Sequence, residues 1–351
     1  MRAIGIDPGT GSFDFFGMEE DKVIIDASVS VPDVALNPLI LIDTIKSVLP
    51  LDMISGPSSY GMPVTPIRDM TDKDMNMMVP DDKSIPLYDG IRMVLKLMQK
   101  EELPVWFTPG VIHLSTVPSF RKANKIDMGT ADKVCIAALA IRDQSERLGI
   151  NYKEASFILA EIGYAFTAVI GVENGWIVDG IGGTSGGPGF ITLGSMDAEL
   201  AVRLGSFPGA LLFTGGAKDI SGKADLTPEK MAKNQRKYSD SWNMLMESVL
   251  KSVAAMTVAV GKPREIVFSG RLSRIPEIES ALRQELARFG SVRRLERRAK
   301  HAKEAAEGAY ILGEGLMGGK YQGIVESLQL RKATGTMYDY VIAKGAEVKR
   351  P

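Results

Sequence analysis

Ile4-Gly5-Ile6-Asp7-Pro8-Gly9-Thr10-Gly11-Ser12 is the stretch whose residue types point most directly to chemistry. An apolar run carries a carboxylate to its end. The Gly-rich turn that follows offers backbone N–H groups and the hydroxyls of Thr10 and Ser12. N–H groups converging in a turn bind an anion such as phosphate without side-chain cost. A carboxylate beside phosphate is useful only with a bridging cation, so Asp7 implies Mg2+, reached through water. The plain alternative is a hairpin turn with a solvated Asp. Glu161-Ile162-Gly163 repeats the acid-then-turn pattern. Later, Ile266-Val267-Phe268-Ser269-Gly270-Arg271 runs into a Ser-Gly turn before a helix expected near Pro276. A glycine there lets the backbone approach a flat ring, and the helix start can face negative charge.

The elements that must position these residues follow from periodicity. Ala3–Asp7, Ser12–Met18 and Lys22–Val29 read as a β-meander, followed by a helix over Asn37–Leu49 and a strand at Asp52–Ser55. Residues 62–86 show poor periodicity and read as a long loop or a small insertion. A helix over Tyr88–Lys100, a strand at Val105–Phe107 and a helix over Gly129–Leu148 come next, the last with Asp132, Lys133, Arg142 and Arg147 on its solvent side. A second meander spans Phe157–Ala160, Tyr164–Ile170 and Trp176–Asp179, with Glu173-Asn174-Gly175 as a hairpin signal. Shifting the chain by 154 positions lays Asp7 on Glu161, Gly9 on Gly163, Gly17 on Gly171 and Glu19 on Glu173, which suggests an internal duplication. A long helix within Thr227–Val260, a strand at Glu265–Ser269 and helices over Pro276–Phe289 and Lys303–Leu316 complete the reading.

Composition narrows the class. The 351 residues carry 42 Lys+Arg against 43 Asp+Glu, so the surface is not broadly basic and no nucleic-acid partner is expected. One Cys excludes a disulfide framework or a Cys-rich metal site, and two His, 113 and 301, leave little for a His-based one. No apolar run approaches a membrane span and the start is strand-like, so a cytoplasmic protein without a membrane partner is expected. At about 150 residues per domain, two domains are expected. Whether two copies pair as a homodimer is left open.

The order of the three Gly-containing elements resembles the phosphate-one, phosphate-two and adenosine motifs of the acetate and sugar kinase, heat-shock chaperone and actin superfamily. Within it, Glu161–Pro188, with Glu173-Asn174-Gly175, Asp179 and Gly182-Gly183-Thr184-Ser185-Gly186-Gly187-Pro188, is most similar to acetate and butyrate kinases. Whole-chain similarity is nearest to an archaeal family described as predicted butyrate kinases. The resemblance implies an α/β fold of two duplicated ribonuclease-H-like (actin-like ATPase) domains, 1–150 and 151–351, with ATP and Mg2+ in a central cleft. Asp7 and Glu161 would then hold the metal through water. Gly9, Thr10, Gly11 and Ser12, with Gly163, Thr167, Gly183 and Thr184, would hold phosphates, and Gly270 and Arg271 would line the nucleoside pocket. Ser58, Ser59, Tyr60 and Gly61 match the loop that touches the acyl acceptor. Lys125 to Lys133 stands where carboxylate kinases carry a Gly-Thr segment flanked by His, with Asp132 and Met128 in place of the two His.

The implied activity is ATP-dependent phosphoryl transfer to a small acceptor, preferably a short-chain carboxylate, which needs no general base because it is already ionised. A hydroxyl acceptor would need one, for which Asp127 or Asp132 is the candidate. The chain departs from the carboxylate kinase pattern at Leu193-Gly194-Ser195-Met196-Asp197, where those enzymes carry a phosphate-neutralising Arg, and at Tyr164, where a second Gly is usual. Lys133, Lys125, Arg121 and Arg271 are the substitutes to consider. The missing Arg keeps a non-catalytic ATP-binding sensor or scaffold in view. Gly183-Thr184-Ser185-Gly186-Gly187 also fits a GxSxG nucleophile pattern, so a serine hydrolase using Ser185 is a remote third reading. His113 lies in apolar sequence and reads as core or, alternatively, as phosphate-facing. The basic run Arg293 to Lys303 reads as a solvated helix face.

Overall fold

Ala3–Asp7 is buried on both faces, and the layering of the molecule follows from what covers each face. A computed structural model describes residues 1–344. Ile4 and Ile6 enter an outer core beneath the first sheet. On the other face the helix Glu304–Leu316 lies so close to Gly5 that a Cβ there would stand 2.2 Å from the Tyr310 amide nitrogen.

Two sheets are present. The first has strand order β3-β2-β1-β4-β6-β5, with β1 Arg2–Pro8, β2 Ser12–Glu19, β3 Lys22–Ser30, β4 Met53–Ser55, β5 Thr65–Pro66 and β6 Val105–Phe107. The second has order β11-β10-β7-β8-β9, with β7 Phe157–Ile162, β8 Thr167–Glu173, β9 Trp176–Ile181, β10 Glu265–Ser269 and β11 Val292–Arg294. In each, an antiparallel meander continues into parallel strands. The duplication holds to the residue. Ile4 pairs with Gly17 and Ile158 with Gly171, Asp7 pairs with Asp14 and Glu161 with Ala168, and both meanders shift register directly after the shared Gly. The second hairpin closes through Asn174 and Gly175 at φ 51° and 74°, the two positive values a type I′ turn requires.

Between the sheets lies a shared core built on the helices Ala131–Leu148 and Glu304–Leu316. Gly308 abuts the Cys135 carbonyl, where a Cβ would stand only 1.9 Å away. This sandwiching corrects the expected solvent side of the first helix. Arg142 is buried against Glu307 (2.6 Å) and Lys133 reaches Glu161, whereas Arg147 in the last turn is exposed as expected while pairing with Glu265. Glu307, fully buried, also accepts the amides of Arg298 and Ala299.

Three other expectations change. Residues 62–86 contain the helix Asp72–Met78, started by a capping box between Thr71 and Asp74 that the sequence displays. The helix expected over Asn37–Leu49 is confined to Leu39–Lys46. The basic run is no helix: it leaves β11 as a loop whose Lys300, His301 and Ala302 amides converge on the Asp26 carboxylate of β3. Its arginines are spent on ion pairs, Arg293 with Asp143 and Arg297 with Glu304 among them. No described helix is long and apolar enough to cross a membrane.

Removing one partner of a buried pair leaves the other charge uncompensated, at about 3–5 kcal/mol. Glu307→Ala should therefore lower stability by about that amount in urea unfolding, and more than Glu307→Gln, which keeps an acceptor for the two amides.

Candidate active site

Each of the two meanders delivers its acid at the end of its first strand, and the two ends open into one cavity between the sheets. Asp7, Gly9, Thr10, Gly11 and Ser12 line it from the first hairpin. Glu161 and Gly163 line it from the second. Gly183, Thr184, Gly270 and Arg271 line it, as do Ser58, Ser59 and Tyr60, and Asp127, Asp132 and Lys133. Three expected site residues lie elsewhere. Thr167 starts β8 and pairs with Ile162 in the ladder. Gly61 (φ 89°) packs against Gly110, with no room for a Cβ. His113 is buried away from the cavity with Nδ1 3.3 Å from Gly110 O, and burial drives its pKa down to about 4, so it stays neutral.

The hairpin turns are closed by their own backbone. Gly9 donates its N–H to Ser12 O and Gly163 to Phe166 O, so these two amides are committed to the turns. Gly270 (φ 92°) presses against the Ile162 carbonyl, which brings the adenosine-motif turn onto the second hairpin. Arg271 lies over the Tyr164 ring at 5.1 Å, so the residue that replaces a usual Gly supports a cation.

Charge is concentrated in two acid–ammonium–acid groups. Lys133 Nζ stands 2.6 Å from Asp132 and 3.0 Å from Glu161. Lys303 Nζ stands 2.8 Å from Asp14 and 3.3 Å from Asp7, and bonds to Ser12 O. Four carboxylates thus share two ammonium groups. Burial, only partly offset by Lys303, pushes Asp7 up to about 6. Burial also raises Glu161, while Lys133 overcomes burial and holds Asp132 below the ordinary carboxylate range. Glu161 Oε2 is buried with the Lys133 ammonium as its charge partner. These signs of deficient positive charge fit a cation arriving with a ligand. Among the described residues no three acidic, His or Cys groups converge into a direct metal site.

Asp127 spends its carboxylate on Gly129 N (2.9 Å) and on the amide and hydroxyl of Thr184 (3.1 and 3.2 Å), tying the loop before the helix Ala131–Leu148 to the Gly-rich loop after β9. Ser58 is also committed, donating to Gly56 O and accepting from Thr108. Ser59 holds a positive φ of 43°, and its carbonyl accepts Ala131 N. From the second half, Gly209 N and Ala210 N bond to Asp82 and Ser84 of the first, bringing Leu212 and Phe213 to the cavity wall. Of the expected substitutes for the absent Arg, Arg121 pairs with Asp179 and Lys125 is not in the cavity wall. Ser185 exchanges hydrogen bonds with Gly182, and the only two His lie elsewhere, His113 in the core and His301 beside Asp26, so it has no imidazole base.

Lys303, Asp14 and Glu304 are site residues that the sequence reading missed. Hairpin register would have exposed Asp14, since a turn closed at Pro8–Phe13 sets it directly opposite Asp7. Lys303 was hidden in a basic run with no local signal of its destination.

A family model described as a protein of unknown function (DUF1464) matches residues 5–343. No curated protein matches the chain significantly. Among solved structures, acetate kinase from Entamoeba histolytica is 12% identical over 83% of this chain and 87% of its own, with a TM-score of 0.61. A propionate kinase from Francisella tularensis is 14% identical over 88% and 98%, TM-score 0.61. Porphyromonas gingivalis acetate kinase is 13% identical over 88% and 98%, TM-score 0.58. At these identities the likeness is one of fold, and the two-domain actin-like ATPase architecture is the fold of this chain.

The raised Asp7 has a consequence for stability. With a folded pKa near 6 and an unfolded one near 3.8, the folded state holds the Asp7 proton more firmly between those values, so this group's contribution to stability is greatest below 3.8 and is lost as pH rises through 6. Asp7→Asn should have a Tm a few degrees above the parent at pH 7.5, and scanning calorimetry should show that margin shrinking as pH falls toward 4. A margin that grows on acidification would contradict the assignment.

Proposed function

The chain belongs to the DUF1464 family, and we propose that its cleft transfers the terminal phosphoryl group of ATP to a small acceptor. The observation that carries this reading is the pair of buried acid–ammonium–acid groups standing on the two hairpin turns. Phosphoryl transfer asks a protein for positioning and charge neutralisation more than for covalent chemistry. Lys303 stands directly over the phosphate-one turn, its Nζ 2.1 Å from where a Gly9 Cβ would be. Together with Lys133 it supplies the positive charge expected from the absent Arg. Gly270 and Arg271 would border the nucleoside, and Asp7 and Glu161 would face Mg2+ through water. When bound, the ion would neutralise phosphate oxygens. Leu212 and Phe213, fixed by the Asp82 and Ser84 contacts, would exclude water from the transferred group.

A second reading, an ATP-binding sensor that closes without transfer, is favoured by one observation: Leu193 to Asp197 holds no Arg. ATP binding followed by calorimetry, together with ADP release over a panel of acceptors, separates the two. Acceptor-dependent ADP release supports the kinase, and binding without any turnover supports the sensor.

Lys303→Met should lower acceptor-dependent turnover on the order of 10²–10³-fold, the cost of removing one preorganised donor from a developing anion. Asp7→Ala should abolish turnover with the circular dichroism spectrum unchanged. Full activity in either variant would remove that residue from the mechanism.

A further inference from the structure

We propose that the acceptor is an uncharged, multiply hydroxylated small molecule, and that the Tyr60–Tyr88 pocket is built to refuse carboxylates. The proposal rests on the phosphotransferase reading and names the substrate class for the same cleft.

The charges lining the cavity decide the class. Asp7, Asp127, Asp132, Glu161 and Glu304 contribute five carboxylates, against Lys133, Lys303 and Arg271. Two of the cations are already shared, Lys133 by Asp132 and Glu161 and Lys303 by Asp7 and Asp14, while Arg271, with no acid partner, lies over the Tyr164 ring beside the turn at Gly270. A carboxylate acceptor is an anion at neutral pH. Entering on the Tyr60–Tyr88 side it would lose its hydration against a wall with more acids than cations, and desolvating a poorly paired ion costs several kcal/mol. A hydroxyl compound escapes that cost.

The pocket wall matches such a ligand. The Tyr60 and Tyr88 hydroxyls meet at 3.5 Å. Leu87, Tyr88 and Ile91 of the helix Pro86–Lys100 line the cavity with Tyr60 and Thr108. Aromatic and aliphatic surface suits the C–H faces of a polyol, while phenol and threonine hydroxyls can both donate and accept. Burial above all, then neighbouring Asp127 and other groups, raises both phenols above their ordinary range, so they stay protonated.

A hydroxyl must lose a proton, and Asp132 is placed to take it. Asp127 is consumed by three hydrogen bonds, whereas Asp132 lies in the cavity wall, held by Thr130 and Lys133 at the start of the helix Ala131–Leu148. As the acceptor oxygen forms its bond to the γ-phosphorus, the bond from that phosphorus to the β–γ bridging oxygen breaks. ADP leaves with the electron pair, and the hydroxyl proton passes to the Asp132 carboxylate. The product is a phosphate monoester.

The test uses the full chain with Mg2+ and ATP. Glycerol, erythritol, ribose, glucose and 1-butanol are compared with acetate, propionate and butyrate. ADP release is followed in each case, hydroxylamine traps any acyl phosphate, and phosphorus NMR identifies monoesters. ADP release with a monoester from at least one of the multiply hydroxylated compounds, and no hydroxamate from any acid, is the expected result; a monoester from 1-butanol alone overturns the proposal. Hydroxamate from any of the acids overturns the proposal and leaves the phosphotransferase reading standing. ATP binding without product from either class overturns the proposal and points to the sensor, and failure to bind ATP sinks both readings. Asp132→Asn should cut monoester formation on the order of 10²-fold with ATP affinity unchanged. Tyr88→Phe should raise the acceptor KM several-fold with little change in kcat. Unaltered kinetics in both variants would place the acceptor elsewhere.

Discussion

Six charges held out of water in one cleft govern the rest of this structure. Lys303 stands between Asp7 and Asp14, and Lys133 between Asp132 and Glu161, each ammonium serving two acids. Charges removed from water are tolerable only with good geometry and further hydrogen bonds. The backbone must therefore hold the six groups rigidly while leaving the arrangement deficient in positive charge. Burial, which the ammonium groups offset only in part, raises Asp7 and Glu161. In the proposed function, a nucleotide arriving with its cation would complete an electrostatic group that the protein holds at some cost to its own stability.

The rigid support is the helical layer between the sheets. Lys133 rides on the first turns of the helix Ala131–Leu148, and Lys303 immediately precedes the helix Glu304–Leu316. These two helices are locked by the Arg142–Glu307 pair and by the contact of Gly308 with Cys135, so the two ammonium groups share one platform. The acids come from the sheets. Duplication supplies Asp7 and Glu161 at equivalent hairpin positions, yet the halves have diverged in charge: Asp14 of the first hairpin corresponds to Ala168 of the second. Lys303 serves both acids of the first hairpin, whereas Lys133 serves the one acid of the second together with Asp132.

Much of this was legible in the sequence where the signal was local. The meanders, their turns and the shared register were visible because Gly and acid punctuation recurs at a fixed offset and strand pairing propagates from turn to turn. Most of the residues expected in the cleft do line it, since each belongs to a short motif at a strand end. What escaped was non-local. The Arg293 to Lys303 run looks like a solvated helix face until β11 directs it toward the first sheet, where its cations meet acids from positions as distant as Asp7 and Asp143. Arg142 and Lys133 looked exposed because helical periodicity reports an apolar stripe, and a helix packed on both sides has no wet face. The helix Asp72–Met78 had a readable capping box, obscured by a surrounding composition rich in Met, Asp and Pro.

The three amides that clasp Asp26 also fix the point from which Lys303 reaches the cleft. The chain passes from the first sheet to the second through the helix Ala131–Leu148 and comes back through the loop after β11, which is fastened to β3 at Asp26 before entering the helix Glu304–Leu316. Lys303 follows directly on that clasp, so its ammonium meets the first hairpin from an anchored start.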